Sequence, residues 1–295
     1  ISGNLGHLGS SSDIAVVEIR QGAGGDESLS TARRSGKYSA ILAVTMGPSS
    51  GLMARNAHDF HSPFGPPVLQ VSSEYQEKIS QVVRSRQKIR LFASAKRIDA
   101  ESFNVVGRFP GKDGALPPLV VMTPRSGWWH CAGERGGGLA CWLEVMHFLS
   151  ETDSPRDVIF LATSAHELGF YGIHAFLKER AGFVKDALCW IHFGANVGAS
   201  QQPSLRFSAS NQEQEIQVQK ALAKYRLQVD TPSEHGVTVG GESQEIARQG
   251  GNVTAVVGGN ALFHIETDRW PQAVDVDIVT RIAKAYSDLA VWMVN

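Results

Sequence analysis

The sequence predicts a three-layer α/β sandwich around a mainly parallel sheet, with a smaller domain at its N-terminus. From residue 102 onward, short apolar runs alternate with amphipathic stretches of ten or more residues, which is the pattern of βαβ units covered by helices on both faces. In the first hundred residues, the apolar runs and the amphipathic stretches between them are shorter and more polar. We therefore assign residues 1–100 to a small domain and residues 101–295 to the α/β domain.

The larger domain is centred on residues 157–177, DVIFLATSAHELGFYGIHAFL. The start of this stretch is apolar on both faces, which predicts a central strand of a parallel sheet at residues 158–162. Apolar residues then recur at helical spacing, so a helix is expected to follow. His166 and Glu167 lie at the join, and ligands of open α/β sheets gather at such carboxyl ends of strands.

The remaining elements follow from the same two periodicities. In the larger domain we predict strands at residues 119–122, 187–193 and 253–257, and helices at about 139–149, 213–225 and 275–293. In the smaller domain we predict strands at residues 14–19, 40–44 and 68–71, and helices at 28–36 and 73–83.

Composition argues against several classes of protein. A formal net charge of -1 gives no electrostatic reason to expect nucleic acid or an anionic membrane as a partner. No apolar run has the length of a membrane span. The three cysteines lack CxxC spacing, which argues against a disulfide framework and a zinc knuckle. No phosphate-binding glycine motif follows a strand, so no nucleotide cofactor is expected.

Six segments between residues 102 and 295 carry a family resemblance: NVVGRFPG, LVVMTPRSGWW, CAGERGGGLACWLEVMHFL, DVIFLATSAHELGFYGIHAFL, ALCWIHF and FHIETDRWPQAVD. Their order resembles the co-catalytic zinc aminopeptidase family, which includes bacterial leucyl aminopeptidase and glutamate carboxypeptidase. The resemblance implies the zinc-exopeptidase fold and a metallopeptidase-like hydrolase acting on a peptide, amide or similar small polar substrate. It also implies a secreted or periplasmic protein if a leader has been removed. Residues 1–100 resemble in pattern the protease-associated domain of many exopeptidases.

The resemblance also maps the metal-binding positions of that family onto this chain. The first His of the family falls at Pro124, which cannot bind metal, so a two-zinc mechanism is not expected. The bridging Asp falls at Glu134, while a metal-binding Glu and a late His are kept as Glu167 and His264. These three residues are an acceptable ligand set. The resemblance therefore implies at most one divalent metal ion, with zinc expected.

Two histidines replace carboxylates of the family and are the expected catalytic residues. His166 stands at the position of the general base and can move protons near pH 7. His192 replaces an Asp and is either a fourth metal ligand or a partner of His166 in metal-free acid-base chemistry. The family commonly has a Ser-Asp-His motif later in the chain, and here Glu242 and Ser243 stand at its last two positions.

Candidate substrate-binding residues surround the glycine-rich segment. Arg125, Trp128 and Trp129 follow the strand at 119–122, and the two tryptophans either line a pocket or cover the sheet edge. Arg135 opens a glycine run before a helix, which suits the carboxylate of a substrate. Alternatively, Glu134 and Arg135 form an ion pair that shapes the turn.

A second interpretation is a catalytically silent binding module that keeps the peptidase fold for recognition. Pro124 favours this interpretation, and so does the loss of both carboxylates at the positions of His166 and His192. On either interpretation the partner is a peptide or a small molecule. The sequence does not give the oligomeric state.

Overall fold

The structure, a computed structural model, describes residues 1–21, 26–230 and 236–295. The chain divides into two compact units. The N-terminal unit comprises Ile1–Glu101 and His264–Glu266, and the second unit comprises Ser102–Phe263 and Thr267–Asn295. Within the described part of the chain, no helix is long and apolar enough to cross a membrane.

The N-terminal unit is a five-stranded sheet with one helix packed on each face. Its strands are β1 (Ser2–His7), β2 (Ile14–Arg20), β3 (Ala40–Met46), β4 (Val68–Ser72) and β5 (Lys88–Arg90), and its helices are α1 (Glu27–Arg34) and α2 (Gln76–Ser85). The strand order is β4-β3-β2-β1-β5, and only the β1–β5 pair is antiparallel.

The predicted elements of this unit are confirmed, with two additions. The three predicted strands correspond to β2, β3 and β4. Alternate residues of β2 face opposite helices, since Val17 packs with the α1 side chains and Val16 with those of α2. The second helix opens with a 3-10 turn at Ser73–Tyr75. The sequence did not predict β1 or β5.

The second unit contains six strands and six helices among its described residues. The strands are β6 (Val105–Phe109), β7 (Leu119–Pro124), β8 (Val158–Thr163), β9 (Cys189–Phe193), β10 (Leu205–Ala209) and β11 (Val253–Gly258). The helices are α3 (Gly137–Ser150), α4 (Tyr171–Lys178), α5 (Phe183–Asp186), α6 (Gln212–Lys224), α7 (Ser243–Arg248) and α8 (Val276–Val294).

The sheet of this unit has the order β10-β11-β9-β7-β8-β6. The four inner strands are parallel, and the edge strands β10 and β6 are antiparallel to their neighbours. Helices α3, α6 and α8 cover one face, and α4, α5 and α7 cover the other. The three-layer α/β fold with a mainly parallel sheet is therefore confirmed. The prediction of β8 as a central strand is wrong, because β8 lies one strand from the edge.

Candidate functional site

The candidate site lies at the carboxyl ends of the inner strands of the second unit. Because β7, β8, β9 and β11 are parallel, the loops that follow them meet at one edge of the sheet. Ser126 follows β7, and His166 and Glu167 follow β8, while His192 is the second-to-last residue of β9. Sequence analysis had singled out all of these except Ser126.

The segment after β8 is a loop rather than the start of the predicted helix. Ala165 and Phe170 have positive φ values of 54° and 60°. This left-handed backbone cannot continue an α-helix, so a single 3-10 turn at His166–Leu168 precedes α4. His166 and Glu167 are therefore held by loop backbone at the sheet edge.

A buried arginine links the two carboxylates that were predicted as metal ligands. Arg135 Nη2 lies 2.8 Å from Glu134 Oε1 and 3.0 Å from Glu167 Oε1. Arg135 Nε also donates to the Ser126 carbonyl at 2.7 Å. All three charged residues are at most 5% exposed. The ion pair between Glu134 and Arg135, which the sequence left as an alternative, is present and extends to Glu167.

Electrostatics keep this arginine charged. Burial alone would lower the pKa of Arg135, but the carboxylates of Glu134 and Glu167 outweigh that effect and raise its pKa above the ordinary value. One positive charge therefore lies between two negative charges in a site with little water to screen them.

Ser126 ties the arginine to the loop after β8. Its hydroxyl donates to Glu167 Oε2 at 2.6 Å and accepts from the backbone N–H of His166 at 3.1 Å. No local pattern points to this serine, because its partners are 40 and 41 residues away.

His166 forms a second buried pair with Glu242. Its Nδ1 lies 2.9 Å from Glu242 Oε1, and the other carboxylate oxygen accepts from the Thr163 hydroxyl at 2.7 Å. Burial raises the pKa of Glu242, although the Thr163 hydrogen bond opposes the shift. Glu242 was not among the predicted site residues, and its signal was its place in the glycine-flanked segment GGESQEIARQGG.

His192 is buried beside this pair. A Cβ at Gly241 would lie 3.5 Å from His192 Cε1 and 3.8 Å from His166 Cε1, so both rings adjoin this glycine. Burial lowers the pKa of His192 to about 4, and Glu242 only partly opposes that shift. Within the described part of the chain, neither ring nitrogen of His192 makes a hydrogen bond. His192 is therefore neutral at pH 7.

The predicted substrate-binding residues have varied surroundings. Arg125 is exposed, and its Nε donates to the Phe103 carbonyl at 2.9 Å. Trp129 is 47% exposed, whereas Trp128 is half-buried. Arg135 is enclosed by carboxylates, as described above. Their role in binding a substrate stays a prediction.

Glycines at the start of α3 serve close packing. A Cβ on Gly137 would lie 1.7 Å from the Val197 carbonyl oxygen, so no other residue fits there. The preceding π-helical turn, Ala132–Gly136, is held by Asp268, whose carboxylate accepts from the N–H groups of Gly133 and Glu134 at 2.6 and 2.9 Å. This turn sets the position of Glu134 and Arg135.

Cys131 precedes the same turn and is not an activated nucleophile. Burial raises the pKa of its thiol to about 12, and the Glu134 carboxylate adds to that shift. A thiol with so high a pKa stays protonated at neutral pH, which removes the thiolate needed for attack.

The sequence of the chain matches that of a known protein family over most of the second unit. The sequence profile of Peptidase family M28 matches residues 104–289. This chain belongs to peptidase family M28. Its family and the aminopeptidases among its solved structural neighbours are peptidase-like hydrolases.

Individual relatives of this M28 chain are distant. It is 30% identical over 138 residues to the "Vacuolar membrane protease" of Candida albicans strain WO-1, which covers 44% of this chain and 16% of that protein. The match thus spans about a sixth of the curated relative.

Solved structures share the fold at low sequence identity. BSAP, a zinc aminopeptidase from Bacillus subtilis, has a TM-score of 0.71 at 15% identity, covering 100% of this chain and 75% of BSAP. An aminopeptidase from Aneurinibacillus sp. strain AM-1 has a TM-score of 0.71 at 13% identity, covering 100% of this chain and 74% of that one. The zinc-exopeptidase fold of the chain is therefore shown.

The zinc of such aminopeptidases does not fit the residues of this M28 chain. Arg135 Nη2 lies within 3.0 Å of both Glu134 and Glu167, where a metal ion would face a like charge. The third predicted ligand, His264, groups with the N-terminal unit, and its Nδ1 donates to the Ala54 carbonyl at 2.8 Å. Among the residues that the structure describes, no three His, Cys, Asp or Glu side chains form a group able to hold a metal.

Proposed function

We propose that this M28 chain is a binding module that retains the peptidase fold for recognition of a peptide-like ligand and has lost metal-dependent hydrolysis. The observation that carries the proposal is the placement of Arg135 between Glu134 and Glu167. A guanidinium supplies positive charge to these carboxylates but has no open coordination position for water or a carbonyl oxygen.

Burial of the whole charged cluster supports the same conclusion. Arg135 is 3% exposed, and its neighbours Glu134 and Glu242 are fully buried. Metal-dependent hydrolysis requires a metal with an accessible position for water and substrate. The cluster is arranged instead as a structural ion network that holds the ends of β7 and β8 together.

A second function, metal-free acid-base chemistry, is favoured by one specific observation. The His166 imidazole is oriented by the buried carboxylate of Glu242 at 2.9 Å, which is how a general base is held in many hydrolases. The neutral ring of His192 adjoins the same glycine. The Ser126 hydroxyl contacts the His166 backbone N–H and donates to the Glu167 carboxylate, so it is held by the charged cluster, and this function ranks second.

Hydrolysis assays combined with metal analysis test the proposal. Protein purified without chelator should contain substoichiometric zinc by mass spectrometry. It should release no product from a panel of aminoacyl anilides and dipeptides, with or without added zinc or manganese. A zinc aminopeptidase assayed in parallel is the positive control for the panel.

The outcomes separate the candidate functions. Stoichiometric zinc with hydrolysis that stops on chelation would overturn the proposal. Hydrolysis that survives chelation and is lost in His166→Gln would establish the second function instead.

A further inference from the structure

A cavity of about 530 Å³ lies within the N-terminal unit, between α1 and the loop that precedes β4. This volume is in the range of roughly 300 to 1,000 Å³ typical of small-ligand sites. All of its lining residues belong to the N-terminal unit, so the cavity is separate from the Glu134–Arg135–Glu167 cluster.

Three arginines line this cavity: Arg33, Arg55 and Arg97. The lining contains two carboxylates, those of Asp26 and Asp59. Asp26 Oδ1 accepts from the Leu29 N–H at 2.9 Å and so caps α1. The described lining therefore carries one more positive than negative charge at neutral pH, with its histidine counted as neutral.

Arg33 is held in place by its neighbours. It pairs with Asp59 at 3.1 Å, its Nη2 donates to the Phe64 carbonyl at 3.1 Å, and its guanidinium lies 3.7 Å from the centre of the Phe64 ring. An immobilised guanidinium presents its positive charge at a fixed position in the cavity wall, which preorganises it to attract an anionic group.

The other two arginines add positive charge. Arg97 lies over the Phe60 ring at 4.9 Å, and within the described residues it forms no ion pair. Burial lowers the pKa of the Arg55 guanidinium, and the Asp26 charge only partly opposes that shift. An anion in the cavity would relieve the cost of burying the Arg55 charge.

Apolar rings form another part of the wall. Phe60, Phe64, Pro63, Pro66 and Pro67 line the cavity with rigid rings, which offer contact area at little cost in conformational entropy. A ligand that fits must therefore combine an anionic group with an apolar body.

We propose that this cavity binds a carboxylate attached to an apolar body, as presented by an acidic peptide. The carboxylate contacts Arg33, Arg55 and Arg97, and apolar side chains of the peptide pack on Phe60 and Phe64. The carboxylate comes either from an acidic side chain or from the C-terminus of the peptide.

Calorimetric titration of the full chain with short peptides tests the proposal. The probes are acetyl-Leu-Asp-Phe-amide, its neutral counterpart acetyl-Leu-Asn-Phe-amide, and acetyl-Leu-Ala-Phe with a free C-terminus. We expect at least one carboxylate probe to bind more tightly than the neutral probe, and the better of the two identifies the source of the carboxylate. Added salt should weaken the binding.

Two variants locate the binding. Arg97→Gln should weaken the better probe by about tenfold, which is the loss expected for a charge-assisted hydrogen bond. Arg84→Gln is the matched control, because Arg84 is 65% exposed, pairs with Glu77 on α2 and does not line the cavity. Arg97 is itself exposed, so its replacement leaves the fold intact.

Three results would each overturn the proposal. They are equal affinity for the neutral probe, no binding of any probe at millimolar concentration, and equal effects of Arg97→Gln and Arg84→Gln. Arg97 lies in the N-terminal unit, so only a selective effect of Arg97→Gln assigns peptide binding to this cavity. Binding that neither variant changes takes place elsewhere in the chain, which would overturn this proposal and leave the proposed function of the second unit standing.

Discussion

Two buried carboxylates destabilise a folded protein unless a positive charge compensates them. In this M28 chain Arg135 compensates Glu134 and Glu167 from within the polypeptide, through contacts of 2.8 and 3.0 Å. Arginine suits this role because its guanidinium stays charged and donates to several acceptors at once. One guanidinium therefore contacts both carboxylates and offsets the charge of one of them.

His192 should make the stability of the second unit depend on pH. Its pKa in the folded state is about 4, lower than the ordinary 6.5. Between these values the unfolded chain binds a proton that the folded chain does not, so the free energy of unfolding should fall as the pH falls from 6.5 to 4. A shift of this size corresponds to about 3 kcal/mol. Glu242, whose pKa is raised, contributes with the opposite sign.

Urea unfolding followed by tryptophan fluorescence at several pH values measures this dependence. His192→Gln should remove most of the loss of stability between pH 6.5 and pH 4. His147→Gln is the control, since His147 is exposed on α3. If His192→Gln and the wild-type chain show the same slope, His192 is not the residue responsible.

The sequence singled out Glu134, Arg135, His166, Glu167 and His192 as site residues, and the structure brings charged partners to the first four. Their roles depend on contacts between residues far apart in the chain, such as the 76 residues that separate His166 from Glu242. Local patterns carry no information on such pairs, which is why Ser126 was missed and why Glu242, although its position was noted, was not predicted as the partner of His166.

At the scale of elements, the π-helical turn before α3 decides where the charged residues lie. Asp268 accepts from two consecutive N–H groups of this turn and is 1% exposed. Asp268→Asn should destabilise the second unit by about 1 to 3 kcal/mol, because the amide offers one acceptor oxygen and turns a donor toward a backbone N–H. Thermal unfolding measures the change.

A matched variant controls for loss of a carboxylate. Asp153→Asn removes an acidic side chain that is 76% exposed and pairs with Lys112 at the surface, so its effect should be close to zero. Equal melting temperatures for Asp268→Asn and Asp153→Asn would show that the turn does not depend on Asp268.

The elements that sequence patterns predicted are those with strong periodicity. The helix α8 and the strands β7, β8 and β11 were found because their buried faces are long and apolar. By contrast, β1 has the sequence SGNLGH, and two glycines and an asparagine give it little strand propensity. It is a strand because β2 and β5 pair with its two edges. Tertiary pairing of this kind is not visible in a local pattern.

At the scale of the whole molecule, the two units can be observed separately. All six tryptophans, at positions 128, 129, 142, 190, 270 and 292, belong to the second unit. Tryptophan fluorescence therefore reports unfolding of the second unit, here called the M28 unit because the family match lies in it. Residues 1–101 contain no tryptophan, so ligands of the N-terminal unit are followed by calorimetric titration.

The most direct test of the account is the unfolding of the M28 unit with chelator and with added zinc, for the wild-type chain, Arg135→Met and Arg108→Met. Removing one partner from a buried ion cluster costs about 3 to 5 kcal/mol, so Arg135→Met should be strongly destabilised. Arg108→Met should be nearly neutral, because Arg108 is 61% exposed in its pair with Asp157. Chelator and zinc should leave the wild-type midpoint unchanged. The role of Arg135 as the internal counter-charge is contradicted if chelation lowers that midpoint, zinc restores it, and Arg135→Met unfolds like Arg108→Met.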